Sequence, residues 1–88
     1  MKNWKFLFSE ETLKRGKELY EGGHILILSA EGTEFWAHAF ESNVYDVTAG
    51  VTDSMIPNLY CNCPHAAGGN LCEHMAALLY AIEEEEKA

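Results

Sequence analysis

Between His24 and Glu86 the chain contains neither lysine nor arginine. A surface built from that span repels nucleic-acid phosphates and anionic lipid headgroups within a Debye length of about 8–10 Å. Long hydrophobic runs are missing too. The longest are Ile25–Leu28 and Met75–Ile82, well short of the roughly 20 residues that a membrane span requires. Cysteine is scarce and odd in number, three in 88 residues, which does not make a closed disulfide framework. Only two prolines occur, and no Pro/Ser-rich linker, internal repeat or low-complexity block divides the chain, so 1–88 reads as a single domain. The opening residues lack a cationic segment followed by an apolar stretch, so we expect no secretory signal and a cytoplasmic location.

What is present suits a small globular fold. The chain is 48% hydrophobic and 11% aromatic, with a formal net charge of -8. A chain of this length buries only about 60–65% of the surface its unfolded form exposes, so it would benefit from a staple. The charge is unevenly placed. Residues 1–24 carry five cations (Lys2, Lys5, Lys14, Arg15, Lys17) against four acids, whereas residues 25–88 carry Lys87 against ten. Any phosphate contact would therefore have to come from the N-terminal face.

The element pattern is α+β: an N-terminal helix over 9–21, a small antiparallel β-sheet over about 24–61, and a helix over 73–86 packed on that sheet. Ser9 followed by Glu10 and Glu11 offers a capping hydroxyl and two acids at the positive end of a helix dipole. Leu13, Gly16, Leu19 and Tyr20 follow at helical spacing, and Gly22-Gly23 ends the run. His24–Ala30 reads as a strand closed by a turn at Glu31-Gly32, and Glu34–Glu41 as a second strand before a tight turn at Ser42-Asn43. Val44–Val51 alternates, with Tyr45, Val47, Ala49 and Val51 on one face. Met55–Cys61 is a weaker fourth strand, with Pro57 placing it at an edge or bulge. In the last helix Met75, Leu78, Leu79 and Ile82 make one apolar stripe. The acidic tail at 83–88 reads as a frayed, solvated end, the other reading being that the chain continues beyond it. Trp4, Trp36, Phe40 and Tyr60 are candidates for exposed interface anchors, while Phe35, Tyr45 and Tyr20 read as core.

The chemistry is concentrated in Cys61, Cys63, Cys72 and His74. On an extended strand, side chains two apart point the same way, so Cys61 and Cys63 can converge on one metal ion. Cys72 and His74 lie about 200° apart on a regular helix. They can share a metal only if Cys72 caps the helix from the turn and His74 sits in its first turn. The Pro64–Leu71 spacer, with Gly68-Gly69-Asn70, allows the chain to fold back. Three thiolates and an imidazole make a closed tetrahedral site of the structural zinc kind. His65, also close to a cysteine, competes with His74 as fourth ligand. His24 and His38, at strand positions, have no sequence partner.

Cys61-Asn62-Cys63-Pro64, the glycine-bearing spacer, and Cys72-Glu73-His74 with Met75–Leu79 resemble the SWIM-type zinc finger, whose pattern is C-x-C, a variable spacer, then C-x-H. The likeness covers about residues 56–82, and Leu13–Gly23 is similar to the helix that precedes this finger in bacterial SWIM domain proteins. The resemblance implies one structural zinc on Cys61, Cys63, Cys72 and His74 and a β-β-α finger. It also implies a DNA-binding or protein-interaction module of the kind found beside Swi/Snf-type ATPases, MuDR-like transposases and MEK-kinase-like proteins.

No catalytic residue is expected. Four protein ligands would leave no open zinc position for water, and no H-E-x-x-H, phosphate-binding glycine loop or activated-serine pattern is present. A three-ligand site, were His74 not to ligate, would reopen the question. The resulting expectation is a structural zinc-binding module for protein–protein interaction, with or within an ATPase/helicase-type assembly whose ATPase acts in cis or in trans. The alternative is a DNA-binding finger, which the acidic charge makes a poor fit. No membrane and no small-molecule substrate is implied.

Overall fold

A computed structural model describes residues 4–51 and 58–87, the last two of these by backbone alone. A 3-10 turn at Lys5–Leu7 leads into helix α1, Glu10–Glu21. Ser9 caps it as its spacing predicts, the hydroxyl accepting from the Thr12 amide at 3.1 Å, which satisfies one of the orphan donors of the first turn. Strands β1 (Ile25–Glu31), β2 (Glu34–Glu41), β3 (Asn43–Gly50) and β4 (Asn58–Cys61) form one antiparallel sheet in the order β1-β2-β3-β4. The expected meander is therefore present, each strand within a residue or two of its sequence-derived limits at the ends described. The Met55–Pro57 portion of the expected fourth strand lies outside the described residues.

The turns differ slightly from those the sequence suggests. Glu31 still pairs with Glu34, leaving Gly32-Thr33 as the turn, with Gly32 at φ +59°. Glu41 pairs with Asn43, so Ser42 alone makes the next reversal at φ +64°, a conformation few non-glycine residues adopt. A register shift between Ile27 and Ser29 marks a bulge in β1 around Leu28, which no sequence signal announced.

After β4 the chain enters a one-turn helix α2, Pro64–Ala67, and then helix α3, Glu73–Lys87. Met75, Leu78, Leu79 and Ile82 are buried as the stripe requires, and Ala76, Ala77 and Ala81 are buried with them. The reason is position: α3 packs against α1 on one side and against β1, β3 and β4 on the other. Gly16 lets the two helices approach closely. A Cβ there would lie 2.6 Å from the Ala76 Cβ and 3.0 Å from the Ala77 amide nitrogen.

Two sequence expectations need correction here. Trp4, one of the four candidate anchors, is 1% exposed, its ring edge-on to Phe8 at 5.8 Å and Tyr80 at 4.9 Å. The segment before α1 folds back over the end of α3 and covers apolar surface that the sheet does not reach. The acidic end is not frayed from residue 83: α3 runs to Lys87, and Glu83 accepts a hydrogen bond from Trp4 Nε1–H at 3.2 Å. Phe35, Tyr45 and Tyr20 are half-buried, and the first two pack against the core.

Candidate metal centre

Three elements, β4, α2 and α3, supply the four residues of the cluster. Cys61 is the last residue of β4, and it pairs with Val47 of β3. Cys63 follows two residues later as the cap of α2, where its sulfur accepts from the Ala66 amide at 3.4 Å. Cys72 immediately precedes α3, and the Ala76 amide bonds to its carbonyl at 3.3 Å. His74 lies in the first turn of α3, so the cap-and-first-turn arrangement that the C-x-H spacing demands is the one observed.

The structure brings the four together. One donor atom from each of Cys61, Cys63, Cys72 and His74 lies within 4.8 Å of every other, and all four residues are buried. His74 Nδ1 is 3.6 Å from Cys61 Sγ and 3.8 Å from Cys72 Sγ. In a tetrahedral zinc site, bonds of about 2.0–2.3 Å give ligand–ligand edges of about 3.5–3.8 Å. The donor set and its spacing thus fit zinc. His65 stays outside this group: it is exposed and faces the Glu73 carboxylate at 3.7 Å.

The imidazole is oriented from behind. Its Nε2 is 2.9 Å from Glu41 Oε1, and its ring stacks on Tyr45 at 5.0 Å with an interplanar angle of 30°. A carboxylate on Nε2 fixes the proton there and leaves Nδ1 free to donate its lone pair. Sequence reasoning missed Glu41. The signal was available in the strand period, since Glu41 shares the face of Ala37 and Ala39, both buried. The α2 turn was missed as well, although Cys63-Pro64 is a capping atom followed by proline at the first helical position.

Without metal, the protons in this cluster are tightly held. Sharing a hydrogen bond with Cys61, together with burial, pushes the Cys72 thiol up to about 12. Burial opposes the His74 imidazolium, but hydrogen bonds to Cys72, Cys63 and Glu41 outweigh it and raise the imidazole to about 9. Two thiols this close cannot both ionise unaided. A divalent cation removes that constraint and releases the protons.

Next to the cluster, Glu73 is nearly buried and bonds to Arg15 Nη1 at 3.3 Å, tying α1 to the start of α3. Glu41, Glu73 and His74 also lie within 4.8 Å of one another, with Glu41 at the exposed edge. His24 and His38 are away from the cluster. His24 Nδ1 contacts the Phe40 carbonyl at 2.8 Å, and His38 Nε2 pairs with Asp46 at 3.2 Å.

No helix among the described residues is long and apolar enough to cross a membrane. No curated protein and no solved structure matches the chain. Residues 45–83 match the family model described as SWIM zinc finger, a match that begins at β3 and so takes in both strands of the finger as well as its helix. Residues 45–83 are a SWIM-type zinc finger, and the cofactor that the family and the Cys/His group together support is one structural zinc.

Proposed function

We propose that Cys61, Cys63 and Cys72, through their sulfurs, and His74, through Nδ1, ligate the zinc, and that the whole chain is one zinc-stabilised recognition domain whose partner is a protein. The carrying observation is the closed S₃N donor set on three different elements. Bound there, zinc supplies no reactive position; it crosslinks β4, the α2 loop and α3 and neutralises the thiolates. Glu41 and Tyr45 hold the imidazole, and the amides at the starts of α2 and α3 face two of the sulfurs. A binding module without catalysis, in a reducing cytoplasm where thiolates persist, is the consistent reading.

Charge supports protein over nucleic acid. The sheet and the finger contain no lysine or arginine. Of the N-terminal cations, Arg15 is paired with Glu73, and Lys5 lies over the Trp4 and Tyr80 rings. With so few phosphate contacts on offer, non-specific affinity should be weaker than roughly 10⁻⁴ M at physiological salt. A partner with a basic segment, such as a Swi/Snf-type ATPase in cis or in trans, suits this surface. The test is a titration of labelled single- and double-stranded DNA and RNA at about 50 and 150 mM salt, conditions between which counterion release is felt. No measurable binding is expected. Micromolar binding at the higher salt that survives replacement of Lys14, Arg15 and Lys17 by Ala but not Cys72→Ser would make the finger a nucleic-acid reader.

A further inference from the structure

One face of the sheet packs against α3; on the other, open face Leu26, Trp36, Phe40, Val44 and Tyr60 are exposed. Along β2, Trp36, His38 and Phe40 project onto this open face at a spacing of two. Their rings meet edge-to-face, Trp36 to His38 at 5.6 Å and His38 to Phe40 at 6.1 Å. The register extends the ladder sideways: Leu26 and Asp46 flank His38, while Tyr60 lies beyond Thr48 in the row of Trp36. Leu26 and Tyr60 are 52% and 55% exposed, and Trp36 is 43% exposed. Large apolar groups gathered on one face of a small domain mark an interaction surface.

A carboxylate is built into its centre. Asp46 Oδ1 accepts from Trp36 Nε1–H at 3.4 Å and faces His38 Nε2 at 3.2 Å, and the Asp46 amide is held by Asn62 Oδ1 at 2.9 Å. The side chain is fixed from two sides yet half exposed, and its second oxygen takes no bond from a described residue. No strand of the sheet supplies a cation to meet it. Aromatic faces beside an anchored carboxylate attract a planar cation, which can stack on the rings while bonding to the acid.

We propose that this open face docks a partner protein through an arginine flanked by apolar residues, the guanidinium lying against Trp36 or Tyr60 and bonding to Asp46. The proposal rests on the reading of the domain as a module that recognises a basic protein segment, and it assigns that recognition to the open face of the sheet rather than to the zinc loop or the acidic end of α3. A second copy of this chain is the wrong occupant: it would bring Asp46 against Asp46 and join two molecules of formal charge -8.

The experiment uses the full zinc-loaded chain, ¹⁵N-labelled. It is titrated to millimolar concentration with the capped peptide Ser-Leu-Arg-Ser-Leu-Arg-Ser-Leu-Arg and with its counterpart carrying Glu for Arg. The arginine peptide should shift the Trp36 indole resonance and the amides of β2, β3 and Tyr60, and the acidic peptide should shift none. Trp36→Ala, at an exposed position, and Asp46→Asn, at a half-exposed one, should keep zinc and the native spectrum while weakening binding about tenfold each. Shifts confined to Glu83–Glu85 and indifferent to both variants would overturn the sheet site while leaving recognition of a basic protein intact. Binding of DNA but not of the peptide would overturn both readings. No shift with either peptide, or concentration-dependent dimerisation abolished by Trp36→Ala, would overturn the proposal alone.

Discussion

Glu41 Oε1 and His74 Nε2 lie 2.9 Å apart, joining the last residue of β2 to the first turn of α3. The pair does for the site what spacing alone cannot: it selects which imidazole nitrogen faces the sulfurs. Removing such a partner from a ligating histidine commonly costs 10–100-fold in metal affinity, as an order of magnitude. Glu41→Ala should therefore weaken zinc binding by about that factor, measured by competition with a chromophoric chelator. Glu41→Gln, which keeps an acceptor oxygen, should lose less. An unchanged affinity in Glu41→Ala would mean that Tyr45 and the helix alone orient the ring.

His65 and His74 separate in the same assay. His65→Ala removes an exposed ring that faces Glu73 and should leave metal content unchanged. His74→Ala takes a buried donor from the cluster and should lower zinc affinity by several orders of magnitude or abolish retention. The opposite result would reassign the fourth ligand.

Protons and zinc compete for the cluster, and the sign follows from the raised His74 value. In the metal-free protein the folded value of about 9 lies above the unfolded 6.5. Stability from the imidazolium is thus fully present below 6.5 and lost as pH rises through about 9. Cys72 behaves likewise at higher pH, between its ordinary 9.0 and about 12. Over pH 6.5–9 the metal-free protein weakens while zinc meets less proton competition. The difference in Tm between zinc-loaded and metal-free protein should widen across that window. A constant or shrinking difference would show that the cluster is not the metal site.

Gly16 tests the packing that presents the finger. A methyl added there meets Ala76 and the α3 backbone, so the helices must part. Gly16→Ala should destabilise the fold by about 1–3 kcal/mol despite alanine's better helix propensity. Thermal unfolding should show a lowered Tm, with one zinc still bound at low temperature. A raised Tm would mean that the α1–α3 approach is looser than the structure has it.

Chelation should open the finger from its loop. The Pro64–Leu71 segment runs between the Cys61/Cys63 pair and the Cys72/His74 pair, whereas α3 is held independently by α1 and by the Trp4–Glu83 contact. Hydrogen exchange after zinc removal should expose α2 and its flanks before α3 or β2 loses protection. Simultaneous loss throughout would make the zinc loop part of one cooperative unit.

The elements that were legible in the sequence are those whose signals are local. Ser9 caps α1, the Met75–Ile82 stripe is buried, and the alternation of β3 places Val47 and Ala49 inside. The Cys/His group was legible for a similar reason, since a strand period of two and a helix cap each dictate which neighbours can converge. What escaped was set by distant partners. Trp4 is buried because the end of α3, nearly eighty residues later, needs cover. Glu41 matters because β2 delivers it to a histidine 33 positions on. The β1 bulge at Leu28 answers to the register of β2, and the exclusion of His65 depends on how α2 turns.

The most direct measurement is elemental analysis and zinc-edge X-ray absorption of protein purified without added metal. The account predicts one zinc per chain with three sulfur ligands near 2.3 Å and one nitrogen near 2.0 Å, about the distances of a structural site. The nitrogen should be lost in His74→Ala and kept in His65→Ala. A folded protein free of zinc, or a zinc shell indifferent to His74 and Cys72, would contradict it.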